Sequence, residues 1–272
     1  MRHAVYPPPP ALAQMLRCIW VFEGRFDEVH DERIVPDGCP ELILHFGTPY
    51  AERDDAGAWQ RQPPLLLAGN LTHALLLRAE GDVGVLGIRL WPQAVAHFTE
   101  ATPTATIDNR RPLRLAALVR WRRALANADD DARLALVPGL ISALGAVLAR
   151  PAPRSDAAVN LAVATIFASR GQAAPEALAS DARLSLRQLE RRMKAATGLG
   201  LKRLASLVRF RALFDELEAE VASPWLHAAL AAGYFDQAHM IRDFRRYAGQ
   251  PPRTYLAGAG RLSSALVSWR GG

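Results

Sequence analysis

Two stretches near the C-terminal end combine basic and polar side chains at spacings that suit contact with DNA. At helical periodicity the first stretch places one set of charged residues on a single face, namely Arg187, Glu190, Arg191 and Lys194. The second places five residues outward or at the rim of its helix, namely Gln237, Ala238, His239, Arg242 and Arg245. Arginine can bind guanine bidentately, glutamine can bind adenine, and an alanine methyl can meet the thymine methyl. The alternative for either stretch alone is a solvated helix face.

The two stretches belong to an internal repeat with an offset of 51 residues, which aligns Gly198 with Gly249. Ser185 and Asp236 align as helix N-caps, because their side-chain oxygens can accept hydrogen bonds from the first free backbone N–H groups. The two glycines suit the positive-φ position that ends a helix. The inward positions of the two helices are apolar in both copies: Leu189, Met193 and Ala196 in the first, Met240 and Phe244 in the second.

A short Ala-rich helix precedes each cap, as ALAS from Ala177 and AALAA from Ala228. Two helices joined by a tight turn, the second of them basic, are typical of a helix-turn-helix unit. The turns differ, because six positions separate Ala179 from Ser185 and seven separate Ala229 from Asp236. Between the units, residues 200–220 predict one long amphipathic helix with an apolar face: Leu201, Leu204, Val208 and Leu213.

The stretch GYFDQAHMIRDFRRYAGQPPRTY, residues 233–255, resembles the C-terminal signature of the AraC family of bacterial regulators, and LASDARLSLRQLERRMKAATG, residues 178–198, is similar to the family's first unit. The sequence departs from the family pattern at Met193, where Phe is usual, and at Leu201, where Pro is frequent. The resemblance implies base contacts early in each recognition helix, by Arg187, Glu190 and Arg191 and by Gln237, Ala238 and Arg242. Because the two helices differ, we expect one chain to recognise a non-palindromic site.

The charge distribution agrees with a DNA partner for the C-terminal part. Residues 1–150 carry 16 basic and 17 acidic side chains, a net of −1, whereas residues 151–272 carry 17 basic and 10 acidic, a net of +7. A basic surplus confined to one domain suits phosphate binding, since each neutralised phosphate releases counterions.

The N-terminal part has short apolar runs between residues 18 and 91 that predict strands of a β-sandwich or small barrel. The polar stretch 51–64 predicts an exposed loop. Helices are expected from Pro92 to Arg150, with Pro138 kinking or splitting the last. The predicted class is α+β: residues 1–150 form a β domain with trailing helices, and residues 151–272 form an all-α domain of two helix-turn-helix units joined by a long helix, with PAPRSD, residues 151–156, as the linker.

The segment RIVPDGCPELILHFG, residues 33–47, resembles the start of a cupin-like sensor domain. The resemblance implies effector binding, a dimer contact, or both. We predict no metal or other cofactor, because the metal-binding HxH-plus-Glu arrangement of cupins is missing and the histidines are scattered: His30, His45, His73 and His97. Asp37 and Glu41 are interpreted as a turn residue and a strand residue, and no catalytic motif is found. Cys18 and Cys39 are expected to be free thiols.

The sequence therefore predicts a cytoplasmic, sequence-specific regulator that binds double-stranded DNA and is not an enzyme, with no membrane segment, since no run of about 18 uncharged apolar residues occurs. A small-molecule effector and a second copy of the chain stay open as partners. Two alternatives also stay open: a small-molecule-binding or cupin-type enzyme module tethered to DNA, and an effector-free architectural DNA-binding protein.

Overall fold

The computed structural model describes residues 1–148, 156–219 and 225–258. Its N-terminal part is built from antiparallel strands, with 3-10 turns at Pro10–Leu12, Pro92–His97 and Pro103–Thr106. The strands are β1 (Arg2–Tyr6), β2 (Leu16–Ile34), β3 (Glu41–His45), β4 (Ala51–Arg53), β5 (Trp59–Arg61), β6 (Leu65–Ala68), β7 (Leu75–Leu90) and β8 (Arg110–Pro112).

The sheet is organised around the long strands β2 and β7, which pair with each other along most of their length. The strand order is β1-β2-β7-β3-β6-β8, and the β4–β5 hairpin pairs with the first half of β7. The register of β2 shifts between Phe26 and His30, opposite Gly81 (φ 67°) in β7, where only a residue without a side chain adopts this backbone cheaply. Both halves of β7 supply side chains to one apolar cluster, for example Leu77 from the first half and Val85 from the second.

The two faces of the sheet bury different apolar clusters. In β3, Ile43 points to the core between the two halves of the sheet, whereas Leu42 and Leu44 point to the opposite face. That opposite face is covered by helices α1 (Ala116–Asn127) and α2 (Asp130–Leu148). Helix α2 continues through Pro138 without being split. Pro138 is exposed, so water can bind the carbonyl group that lacks its helical donor.

Three local predictions for this part were wrong. In the stretch 92–150 that was expected to be helical, residues 92–97 and 103–106 form only 3-10 turns, and residues 110–112 form strand β8, which pairs with β6. Residues 51–64 form the β4–β5 hairpin instead of an unstructured loop, with Ala51 paired to Arg61 and also to Arg78 of β7. Two of the apolar runs that predict separate strands, HALLLRA (residues 73–79) and VGVLGIRLW (residues 83–91), instead fall almost entirely in the single strand β7. Strands of three residues, such as β4 and β5, are too short to show a periodicity in the sequence. β7 is one strand because Gly81 and Asp82, between the two apolar runs, also pair with β2.

Helices make up the described C-terminal part. They are α3 (Ala157–Ala168), α4 (Pro175–Asp181), α5 (Leu186–Thr197), α6 (Leu201–Ala219), α7 (Trp225–Ala231), α8 (Gln237–Ala248) and α9 (Pro252–Gly258). The α+β class is therefore confirmed. The predicted domain boundary between residues 150 and 151 lies outside the described residues.

The core of the helical part extends into the N-terminal part. Val35, which follows β2, is a buried member of the helical core, and Trp91 and Ile107 pack against it. The indole of Trp91 meets the ring of Phe167 edge to face at 5.2 Å between centroids. An apolar contact of this kind restricts the relative movement of the two parts.

Candidate nucleic-acid interface

Two helix-turn-helix units lie in the helical part: the first unit is α4 with α5, and the second unit is α7 with α8. Each turn is closed by the same backbone hydrogen bond, from Leu184 N–H to the Ala179 carbonyl (3.0 Å) and from Tyr234 N–H to the Ala229 carbonyl (2.9 Å). The positive-φ residue of each turn is Arg183 (φ 53°) or Gly233 (φ 85°). The first helices and their turns thus match at an offset of 50 residues.

The recognition helices α5 and α8 match at an offset of 51, so one residue of the second unit has no counterpart. That residue is Phe235, between the turn and the cap Asp236, and its side chain is 87% exposed. The unequal turn lengths seen in the sequence are therefore explained by a single insertion at the start of α8.

The predicted caps of both recognition helices are present. The Ser185 hydroxyl accepts a hydrogen bond from the Gln188 N–H (3.3 Å), and the Gln188 side chain accepts one from the Ser185 N–H (2.9 Å), which is a capping box. Asp236 accepts from the His239 N–H at 2.6 Å. Gly198 (φ 79°) and Gly249 (φ 71°) end the two helices in the left-handed conformation.

Both units contact α6, and the predicted inward positions are buried. Leu189 and Met193 of α5, and Met240 and Phe244 of α8, have no exposed surface, while Ala196 is half-buried. Helix α6 was predicted to be amphipathic with one apolar face, but Leu207 and Phe210 are also fully buried beside the predicted positions. Because helices α3, α5, α7 and α8 all contact it, α6 is a central helix of the domain.

On α5, three of the four predicted DNA-binding side chains are exposed: Arg187, Arg191 and Lys194. Glu190 is half-buried, and its carboxylate accepts a hydrogen bond from the Leu201 N–H (3.1 Å), the first residue of α6. The structure thus gives Glu190 a capping role that the sequence analysis missed. A carboxylate three residues after Arg187 on a basic face gave no signal for such a role.

On α8, four of the five predicted side chains are exposed: Gln237, Ala238, Arg242 and Arg245. His239 is half-buried, packs edge to face on Tyr234 (5.1 Å between centroids) and lies 4.0 Å from the Asp243 carboxylate. Asp243, which the sequence analysis missed, is buried and accepts a hydrogen bond from the Ser206 hydroxyl of α6 (3.0 Å). His239 therefore lies at the edge of the exposed face, against α6.

A cleft between the two units adds basic side chains that the sequence analysis did not single out. Lys202 and Arg246 line it from α6 and α8 and are exposed, and Arg209 lies half-buried beside them. The Arg246 guanidinium lies over the Tyr247 ring at 5.7 Å. The sequence signal that could have indicated this cleft is the run of basic residues on α6, at positions 202, 203, 209 and 211.

The polar cluster of the N-terminal part is an ion-pair network. Arg89 contacts Glu41 at 2.8 Å and Asp37 at 3.4 Å, and the Trp20 indole N–H donates to Glu41 (3.1 Å). Asp37 also accepts from the Cys39 N–H (2.9 Å), so it is the turn residue that the sequence predicted.

Burial shifts the pKa values of Cys18 and Cys39, beside this network, and of His45, elsewhere in the N-terminal core. Burial raises the pKa of the Cys18 thiol to about 11 and that of Cys39 to about 12. Both cysteines are free thiols. Burial lowers the pKa of His45 to about 4, and its ring nitrogen Nε2 is paired with the Gln62 side chain at 3.2 Å. His45 is therefore a neutral core residue near neutral pH.

Among the described residues, no cluster of three or more His, Cys, Asp or Glu side chains has the arrangement of a metal site. In the same ranges no helix has the length and apolar character needed to cross a bilayer.

Comparisons with known proteins assign both parts of the chain. A family described as "Helix-turn-helix domain" matches residues 178–258, and a family described as "Domain of unknown function (DUF6597)" matches residues 4–112. A search of curated proteins found no match.

The chain is similar to several solved structures. ToxT from Vibrio cholerae has 9% sequence identity and a TM-score of 0.48, covering 89% of this chain and 98% of its own. ToxT bound to (E)-4-(8-methylnaphthalen-1-yl)but-3-enoic acid has 10% identity and a TM-score of 0.49, covering 95% and 99%. The AraC-like transcriptional activator CuxR has 12% identity and a TM-score of 0.25, covering 78% and 86%.

The matched residues and the geometry described above agree on one assignment. Residues 4–112 match the DUF6597 domain family, and residues 178–258, which contain both helix-turn-helix units, match an AraC-type helix-turn-helix domain.

Proposed function

We propose that the protein is a cytoplasmic transcriptional regulator that recognises a specific, non-palindromic DNA sequence through both recognition helices of one chain. The observation that carries the proposal is the matched exposure of α5 and α8. Each helix buries its apolar face in the shared core of the helical part and leaves basic and polar side chains in solvent. Two recognition helices that share one core suit adjacent major grooves, about 34 Å apart along B-DNA.

In the first unit we assign base contacts to Arg187 and Arg191, which lie in the N-terminal half of α5 and are exposed. The N-terminal residues of a recognition helix approach the base edges most closely. Lys194 lies in the last turn, so we assign it to a phosphate. The hydrogen bond to Leu201 leaves Glu190 a smaller share in base recognition.

In the second unit we assign base contacts to Gln237, Ala238 and Arg242, all exposed on α8. Arg245 follows one turn later and suits a phosphate, as does His239 at the edge of the face. We assign Lys202 and Arg246, at the cleft between the units, to the DNA backbone between the two grooves.

Binding to duplex DNA as a function of salt tests the proposal. We expect the protein to select a subset of sequences from a random duplex pool, and its affinity for the selected site to fall steeply as salt rises. Equal affinity for every duplex at physiological salt would contradict sequence recognition and would favour an architectural DNA-binding protein.

Single substitutions assign the contacts. We expect Arg191→Ala to cost about 1–3 kcal/mol on the selected site and to relax the base preference at one position. Arg192→Ala is the matched control on the same helix, because Arg192 faces Asp156 of the helical domain at 3.4 Å instead of the proposed DNA surface. Arg242→Ala should have the same effect as Arg191→Ala but at a position in the other half of the site. Equal weakening on all sequences would assign these arginines to phosphates.

We also propose that the N-terminal domain binds a small-molecule effector that controls DNA binding. Its support is the shared core between the domains, through which a change in one can reach the other. A ligand at about 100 times its Kd should stabilise the native state by about 2.7 kcal/mol, which a thermal-shift screen of metabolites detects. If no metabolite in a broad screen raises the Tm, an effector-free protein is favoured. Stoichiometric metal in the purified protein would favour a cupin-type enzyme module.

A further inference from the structure

The N-terminal domain binds both recognition helices at the same position of the repeat. The Asn70 side-chain amide donates a hydrogen bond to the Thr197 carbonyl (3.4 Å), and the Arg33 guanidinium donates one to the Ala248 carbonyl (3.2 Å). Thr197 and Ala248 are the last residues of α5 and α8 and differ in number by the repeat offset. The final carbonyl groups of a helix lack partners within the helix, so each is an open acceptor that the other domain fills.

The donor to the first unit lies on a rigid loop. Asn70 is 1% exposed, and its own carbonyl accepts a hydrogen bond from the Asp108 N–H at 2.9 Å. The Asp108 carboxylate in turn accepts from the N–H and the hydroxyl of Thr72, both at 2.6 Å. The Thr72 carbonyl then accepts from Arg203 of α6 at 3.0 Å. The loop is thereby tied both to the N-terminal domain and to the central helix.

The donor to the second unit lies on a sheet strand. Arg33 belongs to β2 and pairs with Leu76 of β7, so its backbone is fixed by the sheet. Its guanidinium also lies against the helix end, because a Cβ atom on Gly249 would approach it to 3.3 Å. A cation at a helix C-terminus is favoured by the helix dipole.

Close contacts join the two domains at two further positions, beside these hydrogen bonds. Gly38 (φ 82°) lies so near α6 that a Cβ atom there would be 2.9 Å from the Leu204 side chain. At Gly198 a Cβ atom would be 2.7 Å from the Pro103 carbonyl oxygen. The N-terminal domain therefore holds the ends of both helices at one separation.

The contact lies at the C-terminal ends of the recognition helices and leaves their N-terminal halves exposed, including Arg187, Arg191, Gln237 and Ala238. A domain that blocked DNA would instead cover these residues. The geometry thus suits a device that sets the relation of the two helices while they bind DNA.

We propose that Arg33 and Asn70 are positioning residues that fix the spacing of the two recognition helices, and so determine which separation of DNA half-elements the protein accepts. The proposal rests on the proposed DNA-binding function. Insertion of one base pair between the half-elements turns one of them by about a tenth of a helical turn relative to the other, so a rigid pair of helices discriminates strongly between spacings.

The test uses the full chain and a panel of duplexes in which the selected half-elements are separated by the preferred spacing, or by one or two base pairs more or fewer. We expect the unmodified protein to lose at least about tenfold in affinity for each changed base pair. Arg33→Ala and Asn70→Ala should reduce that penalty to threefold or less, and Arg33→Lys, which keeps a cationic donor, should restore most of it. An unchanged spacing preference in both alanine variants would overturn the proposal.

A measurement without DNA separates this proposal from the proposed function. Spin labels on Lys194→Cys and Arg245→Cys report the distance between the exposed faces of α5 and α8, while the native cysteines are buried and stay unlabelled. We expect one narrow distance distribution, broadened by Arg33→Ala and narrowed again by Arg33→Lys. A narrow distribution in Arg33→Ala would overturn the proposal even if DNA binding is sequence-specific. Broadening together with indiscriminate DNA binding would support the positioning role and contradict the proposed function.

Discussion

The first helix-turn-helix unit carries Arg183 at the positive-φ position of its turn, whereas the second unit carries Gly233 there. A side chain at positive φ costs about 1–2 kcal/mol, which the second unit avoids. The second unit instead inserts Phe235 before its cap and packs an aromatic cluster against α6, with the Phe244 ring 5.3 Å from Phe210. Two copies of one motif thus reach the same backbone geometry with different local strain and different cores.

The difference between the cores should give the largest effect. Phe244 contacts the rings of Phe210, Phe214, Trp225 and Tyr255 at centroid distances from 5.3 to 6.2 Å. We expect Phe244→Ala to lower the free energy of unfolding by about 3–5 kcal/mol, measured by chemical denaturation.

Met193→Ala is the matched variant of the first unit, because Met193 is fully buried at the equivalent position. Met193 is a smaller side chain than Phe244, so its removal should cost less. A larger loss for Met193→Ala would show that the first unit has the tighter core.

The helix ends should differ next. Gly198→Ala places a Cβ atom against the backbone of Pro103 (2.7 Å), whereas Gly249→Ala meets only the flexible end of Arg33 (3.3 Å). Both substitutions carry the left-handed backbone cost of about 1–2 kcal/mol, and Gly198→Ala adds a backbone displacement. Thermal unfolding should therefore show a larger decrease in Tm for Gly198→Ala than for Gly249→Ala. Equal losses would mean that the domains separate readily at Pro103.

A smaller effect should separate the two roles of Glu190. Glu190→Ala removes the hydrogen bond to the Leu201 N–H and should cost about 1 kcal/mol of unfolding free energy, whether or not DNA is bound. Glu190→Gln keeps a carbonyl oxygen as acceptor and should lose less. A change of base preference without loss of stability in either variant would assign Glu190 to base recognition instead.

The smallest effect on stability is expected at the insertion. Phe235 is 87% exposed, so Phe235→Ala should change the unfolding free energy by less than about 0.5 kcal/mol. Tyr234→Ala, one residue earlier and 2% exposed, is the contrasting variant and should cost several times more. A substantial loss for Phe235→Ala would mean that the insertion packs against the domain.

Local chemistry made much of the helical domain predictable. Ser185, Asp236, Gly198 and Gly249 mark their helix ends because a cap bonds backbone groups within about four residues, or needs a backbone angle that glycine adopts freely. The inward positions Met193 and Phe244 were predictable because residues three or four apart in a helix share one face, which is also a short-range property of the sequence. The DNA contacts assigned to the exposed faces stay predictions.

Features that depend on distant parts of the chain were missed. The β4–β5 hairpin gains its order from pairing with β7, and Phe210 of α6 is buried against the rings of Phe244 and Tyr247 in α8, more than 30 residues further along the chain. Glu190 has its capping role because α6 begins beside α5.

The sequence by itself determined two helix-turn-helix units with their caps, their basic faces and their unequal turns, since these depend on side-chain type and short-range spacing. Only the tertiary structure decided that Phe235 is the inserted residue, that Glu190 caps α6, and that Arg33 and Asn70 bind the two helix ends. The physical reason is that burial and hydrogen bonding between distant residues depend on which surfaces the folded chain brings together. No local pattern of residue types records that arrangement.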